Sequence, residues 1–335
     1  MQDRLIFLIG SQRSGTTLLS RMLGAHTAIH APDEPHLMTP LAHLGYFDSV
    51  ERAPYDPIIT REGQRALVAQ LPDGEADYLD ALRACSDTIY ERLLGGSGAR
   101  LLLDKTPAYA LVLDFIAKLY AQARFVVITR HPLAVWTSQV DSFFDGDFEA
   151  AERNNPILER YLPAIARFLR ERPVPLVHVR YEELVADPET HLRTICEHLG
   201  VAFEPGMIEY GATESGAKKA ADGLGDPSVT RETRPTTANV SRWAGELAAR
   251  PAMLEHARGI LARVPDADLE TWGHPRSAIL DELDRATPAA SRGRRPLDRF
   301  ALQRRILVRM RRNIHHNSLG RMVRKVREVC DVLLR

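Results

Sequence analysis

Residues 4–22, Arg-Leu-Ile-Phe-Leu-Ile-Gly-Ser-Gln-Arg-Ser-Gly-Thr-Thr-Leu-Leu-Ser-Arg-Met, constrain the fold more than any other stretch. Leu5–Ile9 is a continuous apolar run of the length a buried strand needs. Gly10 to Thr17 follows at once, and Leu18, Leu19, Met22 and Leu23 then recur at helical spacing. A strand, a glycine-bracketed loop and a helix in that order form an anion site. Backbone N–H groups of the loop and the positive end of the helix converge on one point. The match to G-x-x-x-x-G-K-S/T fails at one place, because Thr16 stands where the nucleotide-hydrolysing loops carry lysine. The cation inside the loop is Arg13, ahead of the second glycine.

Short apolar runs at Ala28–Ala31, Leu101–Leu103, Phe125–Thr129 and Leu176–Val179 alternate with helical segments, which predicts a parallel sheet covered on both faces. The expected fold is therefore α/β, a P-loop-type three-layer fold with a short parallel sheet. Residues 37–98 read as a helical cap inserted into it, with helices over 61–71 and 76–94. Asp187-Pro188 reads as an N-cap with proline in the first turn, opening a helix to Leu199. Residues 145–156 and 211–240 read as loops, and Val240 to Trp243 opens another helix. Ligands in such sheets bind beyond the carboxyl ends of the strands. Arg13, Glu34, Lys105, Arg130 and Tyr181 all fall there. Taken singly, Glu34 is explained as a solvated loop carboxylate, Lys105 as an edge charge and Tyr181 as a core aromatic. Five polar groups from separate strand ends point instead to one site.

Composition matters at the far end. The chain of 335 residues has no net charge, yet residues 292–335 hold thirteen arginines and one lysine against three acids. That is a +11 extension on a −11 body. The chain thus divides into a body, 1–290, and a basic helical extension, 291–335. Leu302, Ile306, Leu307, Met310 and Ile314 share one face of that extension. It suits an anionic membrane surface or an acidic carrier protein through 296–335, or packing on its own acidic body or a second subunit. No groove-reading element accompanies the charge, so nucleic acid is not the expected partner. No apolar run approaches the ~20 residues of a membrane span, and the start leads straight into a strand. Cys85, Cys196 and Cys330 are too scattered for a disulfide framework. Together these features predict a cytoplasmic protein, peripheral at most to a membrane. The oligomeric state is left open.

The loop residues Arg13-Ser14-Gly15-Thr16-Thr17 resemble the 5′-phosphosulfate loop of sulfotransferases that use 3′-phosphoadenosine 5′-phosphosulfate (PAPS). Arg130, followed eight positions later by Ser138, resembles the 3′-phosphate site of the same enzymes. The Gln-Arg-Ser-Gly-Thr-Thr form is similar to that of the tyrosylprotein-like and bacterial subgroup. The resemblance spans roughly residues 4–270. It implies that Arg13, Ser14, Gly15, Thr16, Thr17, Arg130 and Ser138 bind the nucleotide, and that Tyr181 lies near the adenosine. Ser228 and Arg242 fall where the subgroup has a serine and a basic residue that close over the nucleotide, with arginine here in place of lysine. Glu34, by count from Arg13, matches the subgroup's general base, with Asp33 or a histidine as the alternative. Lys105, in Asp104-Lys105-Thr106-Pro107, resembles the catalytic lysine, and Arg13 joins these two in catalysis.

The chemistry fits the residues. PAPS carries three anionic groups, and two separated cation sites suit its two ends. Attack by a weakly acidic hydroxyl calls for a base, and charge gathering on the departing oxygens calls for a cation. The implied function is transfer of a sulfonate from PAPS to a hydroxyl or amine of a small-molecule, glycan, lipid or peptide acceptor. Adenosine 3′,5′-bisphosphate is released and no metal is expected. His26, His36 and His131 read as structural, with His131 facing the edge of the site. Asp104 reads as a brace for Lys105 or its loop, and Trp243 as a packing anchor. The rival readings are a Mg²⁺- and ATP-dependent phosphotransferase on the same loop, and a non-catalytic module that docks membranes or carriers. The missing loop lysine and the Arg130/Ser138 pair weigh against the first.

Overall fold

A computed structural model describes residues 1–32, 34, 35, 37–42, 57–212, 232–288 and 322. Ser228, Asp33, His36, Cys330 and, apart from Met322, the basic extension 291–335 lie outside the described residues, as does the loop region 213–231.

The first strand, β1 (Leu5–Ile9), is buried along its whole length, and the loop after it leads into α1 (Thr16–Gly24). Then come β2 (Ile29–His30), α2 (Met38–Ala42), α3 (Pro57–Val68), α4 (Glu75–Gly95) and β3 (Leu101–Asp104). After α5 (Leu113–Leu119) follow β4 (Arg124–Thr129), α6 (Pro132–Phe143), α7 (Phe148–Asn154), α8 (Ile157–Glu171) and β5 (Leu176–Arg180). Helix α9 (Tyr181–Ala186) starts directly from β5, and α10 (Pro188–Leu199) completes this part. Beyond it lie α11 (Arg242–Ala248), α12 (Pro251–Arg263), α13 (Asp266–Trp272) and α14 (Arg276–Arg285).

The five strands form one sheet in the order β2-β3-β1-β4-β5, parallel throughout. Alternation along each strand divides the core into two layers, because successive side chains point to opposite faces. Leu5, Phe7, Ile9, Phe125 and Val127 pack with α4, α5, α6, α8 and the late helices. Ile6, Leu8, Val126 and Ile128 pack with α1, α9 and α10. This is the three-layer arrangement expected from the apolar runs.

Helix α10 begins as anticipated. Asp187 accepts from the Thr190 N–H at 3.3 Å and Pro188 occupies the first turn. Two expectations change. Residues 148–154 form α7, not loop, with Asp147 accepting from the Ala150 N–H at 3.0 Å. Helix α4, read as part of a cap, is built into the core layer through Leu79, Leu82, Tyr90 and Leu94.

All five carboxyl ends of the strands lie along one edge. Lys105, Arg130 and Tyr181 are each the first residue after a strand. The loop after β1 passes close under Tyr181. Gly15 sits at φ 95°, and a Cβ there would lie 2.6 Å from Tyr181 Cδ2. Gly10 is as tight, since a Cβ would meet Thr16 Cγ2 at 2.6 Å and Ser14 Oγ at 2.7 Å. Alanine at position 15 adds a left-handed-backbone penalty to that clash. We expect Gly15→Ala to lower unfolding free energy by ~1–3 kcal/mol, read as a reduced urea midpoint. An unchanged midpoint would show that Tyr181 yields without cost.

Candidate active site

The loop after β1 is held by its own short contacts. Ser14 Oγ donates to the Ser11 carbonyl at 2.7 Å, and the Ser14 N–H reaches the same carbonyl at 3.2 Å. Arg13 adopts φ 68°, a left-handed backbone that few non-glycine residues take. Gly15 caps α1 with no side-chain acceptor, so the first-turn N–H groups of the helix open toward the loop. Ser11 Oγ is buried there without a hydrogen-bond partner. The donor set is that of an anion cradle, and it fits a phosphate or sulfonate group.

Arg13 and Arg130 are brought into one cluster. Arg13 Nε donates to Ser138 Oγ at 2.9 Å across 125 residues of chain. Arg130 donates to the Arg13 carbonyl at 3.1 Å and to the Asn239 carbonyl at 2.9 Å. Its guanidinium carbon lies 4.4 Å from the centre of the Tyr181 ring, a cation–π contact. The two cation sites expected at opposite ends of a ligand therefore adjoin, joined through the backbone and side chain of Arg13. Arg242 comes near through Asn239, whose side-chain oxygen accepts from it at 3.1 Å, while its Nε pairs with Glu246 at 2.8 Å.

A second cluster lies across β1. Lys105 Nζ donates to Glu34 Oε1 at 2.5 Å, with both side chains largely buried. Register places it beside the loop, because Phe7 pairs with Asp104 immediately before Lys105. Asp104 is wholly buried. It accepts from Tyr90 at 2.5 Å and from Tyr109 at 3.0 Å, and its Oδ1 has no hydrogen-bond partner. Burial pushes its carboxyl up to about 7, against the pull of the two phenols and of Lys105. The expected brace to Lys105 is thus an electrostatic one, and the hydrogen bonds run to the tyrosines.

His131 does not face the edge of the site. It is buried, stacked on Trp243 at 3.9 Å with His274 edge-on at 4.8 Å, and that burial depresses its basicity well below the usual imidazole range. The Trp243 contact is the packing anchor expected. His26 is structural, donating to the Ala202 carbonyl at 2.7 Å and accepting from the Ala28 N–H at 2.9 Å. Sequence reasoning missed Asn239 and Trp272, whose indole donates to the Arg130 carbonyl at 2.7 Å. It also missed Asn155, which reaches Gln12 in the loop at 3.1 Å. None of the three has a motif around it. Among the described residues, no group of three or more His, Cys, Asp or Glu is placed to hold a metal ion, and no helix is long and apolar enough to cross a membrane.

Comparison with known proteins identifies the family. A model described as the sulfotransferase family matches residues 5–205, more than half of the chain. The chain belongs to the sulfotransferase family. Among curated relatives, this sulfotransferase is 29% identical over 264 residues to nodulation protein NoeE of Sinorhizobium fredii, a match covering 72% of this chain and 60% of NoeE. It is 23% identical over 292 residues to protein-tyrosine sulfotransferase 1 of Danio rerio, covering 84% and 78% of the two chains. Among solved structures, the sulfotransferase domain from the curacin biosynthetic pathway aligns with a TM-score of 0.51 at 25% identity, over 71% of this chain and 89% of that domain. Family and fold support sulfonyl transfer in general. The family-model match ends at residue 205, so Asn239, Trp243 and Trp272, which hold Arg130 and His131, come from outside the matched residues.

The buried Asp104 carboxyl gives a pH signature. Its folded value lies above its unfolded one, so the folded state binds the extra proton and this group's stabilisation fades as pH rises from about 4 to about 7. Asp104→Asn keeps an acceptor for both phenols and removes the titration. The stability of the parent relative to this variant should fall by up to about 1.4 kcal/mol per pH unit across that window, measured by urea unfolding from pH 5 to 8. Parallel curves would contradict the assignment.

Proposed function

We propose that this sulfotransferase moves the sulfonate of PAPS to a hydroxyl, or an amine, of its acceptor, with Glu34 as general base and Lys105 and Arg13 as the charge-stabilising cations. The observation that carries the reading is the continuous line of donors from the loop through Arg13 and Ser138 to Arg130, with the Glu34–Lys105 pair beside it. The residues fit the nucleotide. Ser14, Gly15, Thr16 and Thr17 offer backbone donors at the start of α1 for the 5′-phosphosulfate. Arg130 and Ser138 suit the 3′-phosphate, with Arg130 over the ring of Tyr181. Arg242 lies one residue away through Asn239. Ser228 belongs to the same reading by its spacing in the sequence. When bound, PAPS supplies an activated sulfonate on a good leaving group.

The residues of the chain then have separable tasks. Glu34 accepts the proton of the attacking hydroxyl. As it does so its hold on the Lys105 ammonium weakens, and Lys105 becomes available to donate to oxygen atoms that are gaining charge. Arg13, fixed by Ser138, holds a planar guanidinium against the same oxygens. The fully buried strand ends behind them exclude water from one side of the site. The acceptor class, whether small molecule, glycan, lipid or peptide, is set by a screen with labelled PAPS and mass spectrometry of the product. The +11 extension gives the protein a route to an anionic membrane surface or an acidic carrier that presents such an acceptor.

Calorimetry tests the nucleotide reading. Adenosine 3′,5′-bisphosphate should bind at least ~10-fold more tightly than AMP, and Arg130→Ala should remove that preference. Equal affinity for the two nucleotides would overturn the 3′-phosphate assignment. For the base, Glu34→Gln should keep bisphosphate affinity while turnover of PAPS falls ~10²–10⁴-fold. Undiminished turnover would pass the role to Asp33 or a histidine.

A further inference from the structure

Next in sequence to Lys105, the buried Asp104 gathers two tyrosines around it. Tyr109 lies four residues after Lys105, in a short 3-10 turn at Pro107–Leu111, and is fully buried. Its hydroxyl is engaged in both directions. It donates to Asp104 Oδ2 at 3.0 Å and accepts from the Met38 N–H at 3.0 Å. Met38 is the first residue of α2, and a first-turn N–H has no partner within its own helix. A tyrosine from a distant segment therefore supplies the helix cap, four residues after Glu34. Pro35, directly after Glu34, has its own φ fixed by the ring.

We propose that Tyr109 is a positioning residue for catalysis. Its hydroxyl ties the segment carrying Glu34 to the strand end carrying Lys105, and so sets the Glu34–Lys105 contact. This rests on the reading of Glu34 and Lys105 given above. The two sides of the contact come from separate segments, β2 with the chain after it and β3 with the chain after it. The edge strand β2 is two residues long and offers little register of its own. The phenol is the point where both segments meet a fixed buried anchor, the carboxylate of Asp104. Tyr90 touches that carboxylate as well, from α4, but its hydrogen bond runs to Asp104 and, among the described residues, none runs from it to Met38 or Glu34. It is therefore the matched control, since Tyr90→Phe and Tyr109→Phe each remove one donor from Asp104 and only the second releases Met38.

Turnover is followed as release of adenosine 3′,5′-bisphosphate from PAPS, with the acceptor found in the screen or with water alone. Tyr109→Phe should lower it ~10–100-fold while bisphosphate affinity stays within about twofold, and Tyr90→Phe should lower it by less than about threefold. In a Glu34→Gln background, Tyr109→Phe should cost less than about twofold more, because its effect passes through Glu34. A purely structural role would lower the residual turnover by the same factor in both backgrounds, and that result overturns the proposal. So does an equal loss in the two Tyr→Phe variants, or full turnover in Tyr109→Phe. Full turnover in Glu34→Gln overturns the base assignment itself; loss there with Tyr109→Phe unaffected overturns only the positioning role. If Tyr109→Phe does not fold, hydrogen exchange in the parent protein reads the same link. The Met38 amide should be protected, and exchange at the rate of an uncapped helix start overturns the proposal.

Discussion

Everything at this site depends on holding two guanidinium groups close together at the end of a buried sheet. Arg13 and Arg130 repel each other, and the fold opposes that repulsion with oriented dipoles and an aromatic face. The carbonyl oxygens of Arg13 and Asn239 accept from Arg130, Ser138 accepts from Arg13, and Tyr181 lies under the Arg130 plane. Contacts of this kind fix the geometry of a cation through dipoles and an aromatic face. Elsewhere the protein uses arginine differently. Arg250 is clamped by both oxygens of Asp141, and Arg170 by Asp268, pairs that spend the charge on joining helices. The left-handed backbone at Arg13 belongs to the same arrangement, because it turns the carbonyl of Arg13 toward Arg130 while the side chain reaches Ser138.

The support for Arg130 explains why the chain needs its late helices. The matched family region ends at residue 205 and already contains the sheet, the loop and the Glu34–Lys105 pair. Arg130 nevertheless sits at the start of a helix on the face covered by α11, α13 and α14. Trp272 ties it there twice, its indole donating to the Arg130 carbonyl and its own carbonyl accepting from Thr129 at 3.2 Å. Next to it, the His131 N–H donates to Glu182 at 2.9 Å, which links the β4 end to the β5 end. An anion site assembled from several strand ends has no single element to stiffen it. The late helices and α9 provide that stiffness from two sides.

Much of this was legible in the sequence, and the remainder has a physical reason for being hidden. Buried parallel strands are apolar runs, so β1, β3, β4 and β5 announce themselves, and with them the residues at their ends. Arg13, Lys105, Arg130 and Tyr181 could be named because sheet topology, more than any pairwise contact, brings them together. Asp187-Pro188 could be named because capping is local. Helix α7 could not, because it buries only Ala150 and Ala151 outright and its other residues apart from Phe148 are charged or polar and read as loop. Asn239 and Trp272 act largely through backbone carbonyls and one indole over separations of more than a hundred residues, and a carbonyl acceptor leaves no trace in side-chain type. Tyr109 falls between these cases. The apolar run Leu101–Leu103 ending in an aspartate signals a buried carboxylate that needs donors, but not which tyrosines supply them.

The buried titratable groups also show how the two clusters divide the pH range. Asp104 is pushed up to about 7, so its folded form holds a proton that the unfolded chain has lost, and its contribution to stability declines as pH rises toward that value. His131 and His178 shift the other way. Burial drives His178 down to about 4 and His131 well below the ordinary imidazole range. The unfolded chain gains protons there that the folded one refuses, so their contribution is present above about 6.5 and lost as pH falls. Between about 4 and 6.5 the two effects oppose each other. The carboxylate cluster behind Lys105 favours the acid side, and the imidazoles packed around β4 and β5 favour the neutral side. The opposing contributions come from two different clusters, Asp104 beside Lys105 and the imidazoles packed around β4 and β5, so the pH dependence of folding is a balance between them.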